Sequence, residues 1–139
     1  MSQPRQLQIF LSRYPEAEAA RLAAQFTRVW VSEGTQLFAR NDTSTDVYFI
    51  EAGTVKSINH SAAGKMVFFF TYKDGDMFGH FAGLTDGTRS ADIVADTDCV
   101  LWRCSAATFH ELVSGHPDNA LEMMRILAGF LRKDTDRIT

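Results

Sequence analysis

The residues from 75 to 91 read Gly-Asp-Met-Phe-Gly-His-Phe-Ala-Gly-Leu-Thr-Asp-Gly-Thr-Arg-Ser-Ala and hold the side chains best suited to chemistry. Arg89 offers a planar fork of N–H donors that matches phosphate oxygens, and Ser90 adds a hydroxyl beside it. Gly79, Ala82 and Gly83 are small enough to let backbone approach another group closely. A short helix beginning near Gly79 would point unpaired N–H groups outward, and such groups favour anions. The chemistry implied is the capture of an anion.

The other reactive side chains form no pattern of comparable strength. His60, His80, His110 and His116 lack the H-x-H or H-x-x-x-H spacing of metal ligands. A cupin-like metal enzyme on a β-roll would place two histidines and a glutamate close together on one strand, so it stands as a minor alternative. His110 and His116 read as solvated helix-end residues, and no histidine has a nucleophile arranged beside it. Cys99 and Cys104 are too few for a disulfide framework or a four-ligand zinc site. Five positions apart on one strand, they fall on opposite faces as small buried hydrophobes.

The elements that must position Arg89 are a strand array between helices. The chain has 139 residues, 45% of them hydrophobic and 22% charged, which suits one globular domain spanning 1–139. Its net charge of −3 is unlike that of a protein gripping nucleic-acid backbone. No run reaches the roughly 18 apolar residues of a membrane span, and no secretory signal follows Met1. The expectation is a soluble, cytoplasmic protein.

From Pro15 to Phe26, Ala19, Leu22, Ala23 and Phe26 mark one helical stripe, preceded by an apolar patch at Leu7–Leu11. Seven or eight short strands follow between about 27 and 104, at the spacing of a sandwich, roll or barrel. Met66–Phe70 is apolar on both faces and predicts a central strand. Ser105 predicts a helix N-cap, Gly115 a C′ stop, and Pro117 the start of a last helix to about Asp134. That last helix is apolar on two sides and needs a second surface to cover: the plain reading is burial against the β-domain alone, and the sharper one is a domain face plus a partner helix.

Residues 78–84 and 89–91, Phe-Gly-His-Phe-Ala-Gly-Leu and Arg-Ser-Ala, resemble the phosphate-binding cassette of the cyclic nucleotide-binding domain family. Bacterial catabolite activator protein and the kinase regulatory subunits typify that family. The run Val47-Tyr48-Phe49-Ile50-Glu51-Ala52-Gly53-Thr54-Val55 is similar to its V-Y-x-I-x-x-G-x-V strand pair, and Gly75-Asp76-Met77-Phe78-Gly79 to its G-D-x-F-G segment. The resemblance covers about residues 20–134. It implies an eight-stranded, jelly-roll-like β-roll with N-terminal helices, a short cassette helix and two C-terminal helices. It also implies a non-enzymatic sensor of cAMP or cGMP, with no other cofactor, no catalytic residue and no metal.

Under that resemblance, Phe78, Gly79, His80, Phe81, Ala82, Arg89, Ser90 and Ala91 bind the ligand. From the two-sided apolar pattern of the last helix, Met123, Leu127, Phe130 and Leu131 are expected to form a homodimer contact. Arg89→Ala is expected to abolish binding with the fold intact, and charges at Leu127 or Phe130 to give monomers. The family's cassette glutamate, which accepts from the ribose 2′-hydroxyl, is His80 here. A neutral imidazole can accept one hydrogen bond, its cation none. Two readings follow: an altered or weaker nucleotide binder, or a domain that keeps the fold as a dimerisation or interaction module. His80→Glu is expected to raise affinity in the first case. Family transcription factors continue into a helix-turn-helix; this chain stops at Thr139, without such a domain and without nucleic-acid contact of its own.

Overall fold

The computed structural model describes residues 3–60, 66–85 and 87–138; the side chains of residues 60, 66–69 and 133–138 lie outside that description. Helices α1 (Arg5–Leu11) and α2 (Glu16–Ala23) lead into strands β1 (Thr27–Val31), β2 (Gln36–Phe38), β3 (Val47–Ala52), β4 (Val55–His60), β5 (Met66–Tyr72) and β6 (Met77–Phe78). A six-residue helix, α3 (His80–Thr85), precedes β7 (Asp92–Ala95) and β8 (Cys99–Cys104). Helices α4 (Ala106–Ser114) and α5 (Pro117–Ile138) follow. The strands pair antiparallel into two four-stranded sheets, ordered β1-β8-β3-β6 and β2-β7-β4-β5. This is the expected β-roll with flanking helices.

Side-chain alternation divides the interior into two cores. On β3, Val47 and Phe49 face the helices, while Tyr48 and Ile50 face the second sheet. The β3 sheet is therefore covered on both sides, which is why its sequence is densely apolar. Phe49 meets Phe10 and Phe26 edge-on at 6.3 and 5.7 Å, tying α1 and the start of β1 to the sheet. On β8, Cys104 joins the helix-side core and Cys99 the sheet-side core, on opposite faces as expected. Burial pushes the Cys104 thiol up to about 12, far from the thiolate that would react.

Several elements differ from the sequence reading. Helix α2 stops at Ala23, and Phe26 turns instead into the ring cluster with Phe49 and Trp102. Strand β6 has two residues, too few for any periodicity to appear. Strand β5 is an edge strand of its sheet, not a central one. Its apolar residues Phe70 and Tyr72 are covered by Phe130 of α5 rather than by another strand. Ser105 caps α4, its hydroxyl accepting from the Thr108 N–H at 3.1 Å. Gly115 ends α4 in right-handed geometry, with φ of −74°. Space requires it there: a Cβ would lie 2.5 Å from the Tyr14 hydroxyl and 2.8 Å from the Glu111 carbonyl.

Helix α5 corrects the proposed dimer face. Met123 is 4% exposed and belongs to the helix-side core, and Leu127 packs against the same core. Phe130 packs on the sheet-side core. Of the four expected dimer residues, Leu131 alone is exposed, at 69%. The helix lies along its own domain, so the stripe at 123, 126, 127 and 130 is consumed internally. The outward stripe runs through Leu121, Met124, Ala128 and Leu131 instead. The start of α5 is pinned by Asn119, which is wholly buried and satisfied. Its amide nitrogen donates to the Phe10 and Leu112 carbonyls at 2.9 and 3.0 Å, and its oxygen accepts from Arg13 at 3.1 Å.

Candidate functional site

Arg89 is 2% exposed and is built into two loops. Its Nη1 donates to the Gly79 carbonyl at 2.9 Å, its Nη2 to the Asp46 carbonyl at 2.8 Å and its Nε to the Ser44 hydroxyl at 3.1 Å. The guanidinium lies 3.8 Å from the centre of the Phe38 ring. The backbone is fastened as well: Arg89 N–H donates to the Asp42 carbonyl, and Asn41 N–H to the Arg89 carbonyl, both at 2.8 Å. Gly79 is needed for this arrangement on two counts. Its φ is +83°, and a Cβ would sit 2.9 Å from the Asp46 carbonyl and 3.1 Å from Arg89 Nη1.

No carboxylate lies within ion-pair distance of Arg89 among the described residues. Burial draws the guanidinium below its ordinary value, and Tyr48, Asp46 and Asp42 offset part of that through space. The three neutral acceptors use three of the five N–H donors. A buried cation solvated by neutral groups is suited to an anion, which would supply the missing charge.

A cavity of about 170 Å³ opens at this arginine. Its polar lining is Arg89, Ser90, Ser57 and Asn59, and its small-residue wall is Gly79, Ala82 and Ala91. Phe38, Phe70, Tyr72, Phe81, Ile93 and Phe130 complete it, and no acidic residue is among them. The lining is thus cationic and polar at Arg89, Ser90, Ser57 and Asn59 and otherwise largely aromatic. Six of the eight expected ligand residues meet here: Gly79, Phe81, Ala82, Arg89, Ser90 and Ala91. Phe78 does not; it is buried and stacked on Tyr48, with centroids 4.9 Å apart and planes 3° apart. Gly83 also faces its own domain, where a Cβ would meet Val47 at 3.0 Å and the Thr45 carbonyl at 3.2 Å.

His80 is the main departure. It is 1% exposed and does not line the cavity. Its ring lies 4.5 Å from that of Phe81 and 5.6 Å from that of Phe130, centroid to centroid. Neither ring nitrogen has a hydrogen-bond partner among the described residues. Desolvation lowers its pKa from 6.5 to about 4, so the ring is neutral at pH 7. His110, read as a solvated residue, reaches across from α4 to pair with the Gly83 carbonyl and holds α3 in place.

Sequence reasoning missed Phe38, Ser44 and Asp46 around the guanidinium, and Ser57, Asn59, Tyr72 and Phe130 in the cavity. Ser57 and Asn59 alternate on β4 and so share a face, a signal that was present. Asp46 acts through its backbone carbonyl, which side-chain identity does not report. Among the described residues, no group of three or more His, Cys, Asp or Glu could hold a metal ion. No helix among them is long and apolar enough to cross a membrane.

The architecture is a two-sheet roll interrupted by a short helix, with a buried arginine at a cavity suited to a small anionic ligand. The chain belongs to the cyclic nucleotide-binding domain family, whose model matches residues 28–116. Lysophospholipase nte1 of Aspergillus niger is 27% identical over 104 residues, which span 75% of this chain and 7% of that enzyme. The catabolite activator protein of Thermus thermophilus superposes with a TM-score of 0.77 at 22% identity, over 93% of this chain and 61% of that one. The regulatory domain of Toxoplasma gondii PKA, solved with cAMP, has a TM-score of 0.71 at 22% identity, over 92% of this chain and 48% of that one. The chain therefore spans a small fraction of its curated relative, and the two structures share its fold.

Proposed function

We propose that this domain is a regulatory module that binds a cyclic nucleotide, cAMP or cGMP, in the cavity at Arg89. The observation that carries the reading is Arg89 itself, a buried cation with no ion pair among the described residues, lining a cavity to which none of them contributes an acidic group. The cyclic phosphate would take the free edge of the guanidinium with Ser90, and the base would pack on the aromatic lining. Family membership supports the ligand class, and the cAMP-bound neighbour supports cAMP as the first candidate. The sugar has no carboxylate to meet; Ser57 and Asn59 are the neutral polar groups left for it.

The test is calorimetric titration of cAMP and cGMP into the purified chain, with Arg89→Lys and Arg89→Ala as controls. Saturable binding that Arg89→Ala removes supports the assignment. Absence of heat up to millimolar ligand, in protein shown to be folded, overturns it.

A second reading, an interaction module acting through α5, is favoured by the outward stripe. Leu121 and Met124 are 41% and 59% exposed and fall on one face with Ala128 and Leu131. Spacings of three and four residues match a helix-pairing seam. We assign the homodimer contact to this stripe in place of Met123, Leu127 and Phe130. Sizing with light scattering at tens of micromolar, a concentration on the order of a modest dimer's Kd, tests it. A monomer there overturns it.

A further inference from the structure

We infer that His80 is a latch that couples the cavity to the C-terminal half of α5 through its contact with Phe130. This inference concerns the regulation of the cavity proposed above, and its first arm needs no ligand.

Three observations carry it. The imidazole is buried with both nitrogens unpartnered, although a neutral imidazole has one donor and one acceptor to satisfy. Its neighbours are Phe81 and Phe130, which are themselves walls of the cavity. With Phe70 and Tyr72, Phe130 also lines a second cavity of about 220 Å³, whose other walls include Gln6, Asp76, Arg125 and Gly129. Phe130 therefore borders open space in both cavities. Asn119 holds the opposite end of α5 with three hydrogen bonds, so displacement of Phe130 tilts the helix about a fixed start.

An unmet buried polar group disfavours the state that holds it by about five- to 150-fold. The closed arrangement is thus biased toward release. A ligand hydroxyl or solvent that reaches His80 satisfies the imidazole, but it must first part the imidazole from Phe130. The energy that the closed state lacks is recovered on opening, and the position of α5 follows. An apolar side chain at position 80 keeps the packing and removes the demand.

The experiment compares wild type with His80→Phe, and with His80→Leu in case the larger ring overpacks the slot. Amide hydrogen exchange is read along residues 126–132 of the full chain without ligand. The expected result is exchange about tenfold slower in at least one folded variant, with residues 118–122 unchanged. Equal or faster exchange in every folded variant overturns the latch. With saturating cAMP, the wild type should show a change at 126–132 that the apolar variants lose. If the wild type binds cAMP and the apolar variants respond as fully as it does, the latch is also overturned. If calorimetry shows no binding to any of them, the ligand assignment fails, and the ligand-free comparison still decides the latch.

Discussion

Arg89 and His80 lie nine positions apart and both are almost wholly buried, yet the fold treats them in opposite ways. Arg89 cannot shed its charge, so the chain surrounds it with two carbonyls, a hydroxyl and a ring face. His80 can shed its proton, and it is stored neutral among aromatic rings with no hydrogen-bond partner among the described residues. A permanent charge forces the protein to build a polar shell, and the shell becomes a site. A titratable group lets burial proceed without one, and the unmet nitrogens become a source of instability.

The largest effect is expected from removing the built shell. Arg89→Ala should reduce cyclic nucleotide affinity by at least about 100-fold. It should also cost about 3 kcal/mol of stability, because the Gly79 and Asp46 carbonyls lose their donors. The expectation of an intact, unperturbed fold is thereby revised: Arg89 fastens the structure as well as lining the cavity. Thermal melting beside calorimetry separates the two losses, and an unchanged melting temperature would remove the structural role.

The second effect concerns acid. The folded pKa of His80, about 4, lies below its ordinary 6.5. The unfolded chain therefore binds the proton first, and the stability contributed by the neutral ring is present above pH 6.5 and lost as the pH falls toward 4. The loss attributable to this residue is about 2 kcal/mol at pH 5 and about 3 kcal/mol at pH 4. Denaturant melts of wild type and His80→Phe should diverge over that window and not above pH 7. Parallel curves would mean that His80 leaves its slot too easily to matter. His80→Glu should melt lower than wild type at pH 7, since a carboxylate buried in the same slot must either carry an unpaired charge or take up a proton to lose it.

Asn119→Ala offers an intermediate case, a buried polar group satisfied like Arg89 but remote from the cavity lining. It should cost about 2 kcal/mol and leave nucleotide affinity within a few fold. An equal loss of affinity would show that the start of α5 already controls the cavity. The smallest effect on stability is expected on the outward face of α5. Met124→Glu should change folding stability by less than about 0.5 kcal/mol while shifting the proposed dimer toward monomer on sizing. Phe130→Glu should instead destabilise the domain, because its ring packs on Phe70, Tyr72 and Phe81.

The strand array, the capped α4 and the position of Arg89 were legible in the sequence. Each rests on short-range rules: turn residues between apolar runs, a serine hydroxyl three residues from an N–H, an arginine just before a strand. The opposite faces of Cys99 and Cys104 followed from strand periodicity alone. The tertiary structure decided the rest. That Met123 and Phe130 look inward and Met124 outward depends on which side of α5 meets the roll, and a helix apolar on two sides does not state this. The apolar residues Phe70 and Tyr72 of the edge strand β5 are covered by Phe130, which arrives from more than fifty residues away. Asp46 and Gly79 serve Arg89 through backbone carbonyls, which every residue carries, so no choice of side chain announces them. His80 was visible as a departure from the family pattern, but only packing could turn its ring away from the cavity and leave its nitrogens unpaired.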